Sequence, residues 1–203
     1  MANLCEKLIS SCIGADCNNP IFDGIEAKAW VFNKSEIASF TDDDSTPSNP
    51  NLKTAIVMKE NEGVSYTGYT ITQLGKTPYT GTNTTLAEGN VANTFTETLN
   101  FVVPDNSPTT AMLLDNVANG RFVVVVKNSY EGSDNKGQFQ IYGARKGLVC
   151  TAMQRDAYSD ENNGGWAVTL TAEKTPTSAL FLEHKTEDTV DTESYLDSLV
   201  SCD

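Results

Sequence analysis

Residues Thr94 to Val103 alternate. Phe95, Leu99, Phe101 and Val103 share one side, and Thr94, Thr96, Thr98 and Asn100 share the other, the period-two pattern of a strand with one buried and one wet face. Glu97 falls on the apolar side and breaks the pattern once. The alternation returns where Trp166, Val168 and Leu170 oppose Ala167, Thr169 and Thr171. Between these segments, Phe122-Val123-Val124-Val125-Val126 is an uninterrupted β-branched run of strand length, which suits a central strand buried on both faces. Further strands are predicted over Ile25–Asn33, containing Trp30, Val31 and Phe32, and over Leu52–Lys59, Val64–Leu74, Gln138–Met153 and Ala179–His184. Asn61-Glu62-Gly63 reads as the turn that joins Leu52–Lys59 to Val64–Leu74 in a hairpin.

Helical spacing occurs in two places. Ser107-Pro108 supplies an N-cap and a proline at the first helical position ahead of Ala111-Met112-Leu113-Leu114. Gly120 after Asn119 reads as a left-handed C-cap, which gives a helix over Pro108–Asn119. Leu196, Leu199 and Val200 share one face of a short C-terminal helix over Thr192–Val200, with acidic residues at its start.

The remaining stretches are polar. Met1–Pro20 has a brief apolar pattern in Leu4, Leu8 and Ile9, then Gly14 and the turn residues Asn18-Asn19-Pro20, and reads as an arm that needs a partner surface to be ordered. Thr41–Pro50, Glu131–Gly137 and Asp156–Gly165 read as loops. Gly75–Asn90 reads as an extended loop, too polar for a core and long for a plain connection. The expected fold is mostly β: an antiparallel β-sandwich or barrel with one flanking short helix, a short C-terminal helix, and extended arms and loops. Its organisation is an arm over residues 1–20 and a single β-rich domain over 21–203, with the extended loop near 75–90.

A chain of 203 residues is long enough to bury a substantial core. With 39% hydrophobic and 20% charged residues it is too apolar for a disordered protein, and no apolar run approaches the ~20 residues of a membrane span. The formal charge of -13, from 27 acidic and 14 basic side chains, argues against specific nucleic-acid binding, because Lys and Arg must replace the counterions of phosphate. The start, Met1 to Lys7, lacks the basic flank and apolar run of a secretory signal, so folding in a cytoplasm is expected. Five cysteines (Cys5, Cys12, Cys17, Cys150 and Cys202) are an odd number without an export signal, and free thiols are expected.

Candidate chemistry is sparse. His184 is the only histidine, and a nucleophile–base pair would have to join it to Cys150 or a serine. Gly75-Lys76-Thr77 imitates the end of a phosphate-binding loop, but Thr70 stands where the leading glycine belongs. Asp42-Asp43-Asp44 and the set Asp156, Asp160, Glu161 and Asn162 offer carboxylates without the spacing of a calcium loop. The expectation is a protein with no catalytic residues, no cofactor and no metal.

The order of elements from Phe95 onward resembles tail tube-type structural proteins of phages and prophages that infect Bacteroides-like bacteria. The likeness rests on Phe101-Val102-Val103, the short helix around Leu113 and Leu114, Gly120-Arg121-Phe122-Val123-Val124-Val125-Val126, Ile141-Tyr142-Gly143, Gly147-Leu148 and Gly165-Trp166-Ala167-Val168-Thr169-Leu170. It implies a β-sandwich or barrel flanked by a helix, with subunits in hexameric rings that stack into a hollow, DNA-conducting tube and a long loop reaching toward the next ring. Expected partners are further copies of the chain and other virion tail proteins, without specific nucleic-acid or membrane binding. The expected location is the virion tail, after synthesis in the bacterial host cytoplasm. Two other readings stand beside it. One is another virion component: a head-tail joining, capsid-decorating or fibre protein. The other is a carbohydrate-binding or adhesive β-module in which Trp30, Tyr66, Tyr69 or Trp166 stacks on sugars. No residue pattern points to an enzyme.

Overall fold

The computed structural model describes residues 24–44, 49–90, 92–132, 136–160, 162–186 and 189–201. The arm over 1–20, four of the five cysteines and Glu161 lie outside the described residues. In chain order the strands are β1 (Ile25–Asn33), β2 (Ile37–Asp42), β3 (Leu52–Met58), β4 (Glu60–Asn61), β5 (Val64–Ser65), β6 (Tyr69–Thr72), β7 (Asn83–Ala87) and β8 (Thr94–Val103). Helix α1 (Pro108–Asn119) leads to β9 (Phe122–Asn128), β10 (Phe139–Tyr142), β11 (Val149–Arg155), β12 (Trp166–Thr175), β13 (Leu180–Leu182), β14 (Lys185–Thr186), β15 (Thr189–Val190) and α2 (Thr192–Ser198). The fold is mostly β and sandwich-like. A seven-stranded sheet in the order β2-β3-β13-β10-β9-β1-β6 packs on a four-stranded sheet in the order β11-β12-β8-β7. The ladders are antiparallel except β13 with β3, where Phe181 faces Leu52 in parallel register.

The apolar run of β9 explains the layering. Phe122, Val124 and Val126 point into the core between the sheets, where they meet Leu99 and Phe101 of β8 and Val168 and Leu170 of β12. Val123 and Val125 point the other way, onto a second core with Trp30, Phe32, Ile56, Phe139, Ile141 and Leu196. A strand with alternate residues in two cores has no wet face, hence the continuous hydrophobic stretch. Seven-residue α2 covers this second core. Its Leu196 is fully buried, Asp197 accepts from the Trp30 indole at 2.7 Å, and Gly68 bridges to Val200 at its end.

Several expectations need correction. Leu52–Lys59 and Val64–Leu74 do not form a hairpin: β6 pairs with β1 at the far edge from β2, and only the two-residue ribbon β4–β5 closes across Glu62-Gly63. Glu62 and Gly63 both take positive φ there, which suits a tight turn but sends the chain away from β3. Gln138–Met153 is two strands in different sheets. Gly143 and Gly147 take φ of +76° and +80°, and a Cβ at Gly143 would stand 2.6 Å from the Phe122 carbonyl, so the chain turns here and crosses between layers. Gly120 is extended, with φ of -85°, and is not a left-handed cap. Glycine is needed there because a Cβ would meet the Phe122 ring at 2.2 Å. Two polar segments also hold strands: Ile37–Asp42 pairs with β3, and Asn83–Ala87, inside the expected long loop, pairs with β8.

Candidate functional site

Cys150 lies on β11 of the four-stranded sheet, whereas His184 lies in the link between β13 and β14 at the seven-stranded sheet. β3 diverges from β13 after Leu52 and Lys53, which leaves the backbone beyond them without a strand partner on that side. His184 fills the gap by donating Nδ1–H to the Thr54 carbonyl at 2.9 Å. The Tyr195 hydroxyl accepts from Ile56 N–H at 2.9 Å and donates to the Ile56 carbonyl at 2.8 Å, with the two rings stacked 3.9 Å apart. His184 therefore acts as a side-chain substitute for strand pairing. The Cys150 thiol on β11 donates to the Ala152 carbonyl at 3.6 Å, and burial pushes its pKa up, the opposite of what a nucleophile needs.

The other sequence candidates are similarly placed. Asp42 pairs with Lys53 across β2 and β3, while Asp43 accepts from Asn49 N–H at 3.2 Å. Asp156 accepts from Tyr158 N–H at 2.9 Å within its own loop. Among the described residues no three His, Cys, Asp or Glu side chains converge as a metal site. Trp30 is fully buried and cannot stack on a sugar, Tyr66 and Tyr69 are exposed, and Trp166 is half-buried on the opposite sheet with its indole donated to Asn106 at 3.2 Å. The structure does not gather these aromatics into one platform.

Glu97 is 4% exposed, and its carboxylate accepts from Gly143 N–H at 2.6 Å. Burial raises its pKa, and the hydrogen bond from Gly143 opposes the rise. The contact ties β8 of the four-stranded sheet to the turn where the chain leaves β10. The neighbouring Tyr142 hydroxyl is pushed up to about 12 by burial and by the Glu97 charge.

The outer face of the four-stranded sheet is chemically uniform. The ladder registers place Asn83, Thr85 and Ala87 of β7, Thr94, Thr96 and Thr98 of β8, Ala167, Thr169 and Thr171 of β12, and Ala152 and Gln154 of β11 on the side away from the core. Thr151 and Thr171 link their hydroxyls across this face at 2.9 Å. These are uncharged residues in a chain of net charge -13. Among the described residues neither outer strand has a further strand partner, since β7 pairs only with β8 and β11 only with β12, and helix α1 packs against β11. The three ladders are antiparallel, so β7 and β11 run in opposite directions. Beyond β7, the β8 backbone is capped by side chains: Thr82 accepts from Asn100 N–H at 3.1 Å, and the Gln73 amide clamps both backbone groups of Val102.

A groove of about 990 Å³ opens where the seven-stranded sheet extends past its narrower partner, and a second segment of about 370 Å³ continues it. One cross-strand row runs Ala29, Val126, Gln140, Phe181, Leu52 across five strands. Ala29 and Val126 belong to the core, whereas Gln140 and Phe181 emerge as groove floor. The wall from Lys76 to Thr82 is anchored by Tyr79, a buried residue at φ of +59° whose hydroxyl donates to the Ala27 and Ile71 carbonyls at 3.2 and 2.8 Å. A bulky residue at positive φ costs about 1–3 kcal/mol and persists only where its surroundings hold it. Gly75-Lys76-Thr77 belongs to this wall. The groove residues escape a sequence reading, although a polar Gln140 between Phe139 and Ile141 signals that part of the inner sheet face is left uncovered.

No protein-family model, curated protein or solved structure matches this chain.

Proposed function

We propose that this chain is a self-assembling structural subunit, a virion tail tube protein in the terms of the resemblance, whose four-stranded sheets join edge to edge into a ring. The observation that carries the proposal is the even, wholly antiparallel sheet in which, among the described residues, neither outer strand has a further strand partner. Because β7 and β11 run in opposite directions, β7 of one copy beside β11 of the next continues the antiparallel pattern without a break. Such an edge is a template for another chain, and a head-to-tail contact that repeats by rotation closes into a ring. Other features support the same reading. Leu86 on β7 and Met112 and Leu113 on α1 are each more than half exposed, apolar area that a neighbouring copy would cover. The threonine-rich outer face would line the lumen, where an uncharged wall gives passing DNA no cation to release its counterions.

Negative-stain microscopy of the purified protein at high concentration tests this. Rings or tubes are expected for the natural chain. The double substitution Thr85→Lys and Leu86→Lys on the edge strand should abolish them while the far-ultraviolet circular dichroism stays unchanged. Particles of single-subunit size only, at every concentration, would overturn the proposal.

A further inference from the structure

We propose that the groove floored by Gln140, Asn128 and Phe181 binds a neutral oligosaccharide. This goes beyond the assembly reading and does not rest on it. Asn128 Nδ2 donates to the Gly137 carbonyl at 2.9 Å and to Gln140 Oε1 at 3.4 Å, which sets the orientation of both amides. Asn128 Oδ1 and Gln140 Nε2 are left without partners among the described residues, an acceptor beside a donor. That pairing matches adjacent sugar hydroxyls, each of which both donates and accepts. Half-buried Phe181 and Tyr130 flank the amides and are shared by both segments of the groove, offering ring faces to the C–H side of a pyranose.

Charge and topology narrow the ligand. Among the described residues no acidic side chain lines either segment, and two lysines, Lys76 and Lys136, stand at its sides. The floor itself, Gln140, Asn128 and Phe181, carries no charge, and its amides suit hydroxyl groups; an acidic hexapeptide probes whether the lysines instead select an anion. A peptide ligand is disfavoured because β9, β10 and β13 are interior strands with neighbours on both sides, so no free edge is available for strand addition. The strained Tyr79 holds the opposite wall in place before any ligand arrives, which lowers the ordering cost of binding.

The test is calorimetric titration of the full chain with four neutral hexasaccharides of gluco, manno, xylo and galacto configuration, alongside an acidic hexapeptide. At least one hexasaccharide should bind saturably with Kd between about 10 μM and about 1 mM, the ordinary range for an open polar site. Gln140→Glu keeps the side-chain volume but replaces the free donor with a carboxylate, and Phe181→Ala removes a ring face. Each should weaken binding about tenfold or more, with the thermal unfolding of Gln140→Glu close to that of the natural chain. The Thr85→Lys, Leu86→Lys protein should bind sugar as the natural chain does, which separates this site from assembly. Absence of binding by all four sugars at about 10 mM, binding that Gln140→Glu leaves intact, or binding of the peptide alone would overturn the proposal.

Discussion

Glu97 breaks the alternation of β8, and the structure gives the break a use: its carboxylate satisfies the Gly143 N–H at the crossing between the sheets. Burial raises its folded pKa, so the folded state holds this proton more tightly than the unfolded chain does. Stability from this group is therefore full below the ordinary value of 4.5 and is lost as pH climbs through the raised folded value. Glu97→Gln keeps an acceptor for Gly143 and removes the buried charge. It should match or exceed the natural chain at neutral pH and lose this downward slope in urea denaturation as pH rises above 4.5. Glu97→Ala leaves the N–H unpaired over a cavity and should cost about 2–4 kcal/mol. Gly120→Ala places a Cβ against the Phe122 ring and should destabilise by about 1–3 kcal/mol, read from the denaturation midpoint. The sequence marks Glu97 as a break in the alternation and reads Gly120 as a left-handed cap, which it is not. Neither role was legible: Gly143 meets Glu97 only once the two sheets pack, and the Phe122 ring comes against Gly120 only in the extended conformation found there.

At the scale of elements, legibility follows how much of the signal is local. β1 and α1 have the bounds their sequences predict, since the one carries a dense apolar run and the other a capped start, with Ser107 accepting from Thr110 N–H at 3.2 Å. β2 and β7 were not legible because they lie at sheet edges, where hydrogen bonds to one neighbour hold a largely exposed strand and burial leaves little pattern. Partners were less legible still: β6 on β1, and β3 on β13, join segments whose patterns carry no mark of each other. The groove lies at such a junction, so its floor was equally hidden. Helix α2 is too short to be stable alone and depends on its contacts. Tyr195→Phe strips the hydroxyl from both backbone groups of Ile56 and should cost about 1–3 kcal/mol in thermal or urea unfolding.

For the whole molecule, charge and edges act in opposite directions. A net charge of -13 makes copies repel one another, while β7 and β11, which have no outer strand partner among the described residues, and the exposed Met112–Leu113 pair favour association. Screening weakens the first and leaves hydrogen bonding and apolar burial largely intact, so salt should promote assembly. The same charge predicts no shift of duplex DNA in a gel at moderate salt, assembled or not. Sedimentation velocity across protein concentration, from about 0.05 M to about 0.5 M sodium chloride, tests the central claim most directly. The account predicts ring-sized and longer species that grow with both variables for the natural chain, and a monomer throughout for Thr85→Lys, Leu86→Lys. A single monomer-sized boundary for the natural chain at every concentration and salt would contradict it.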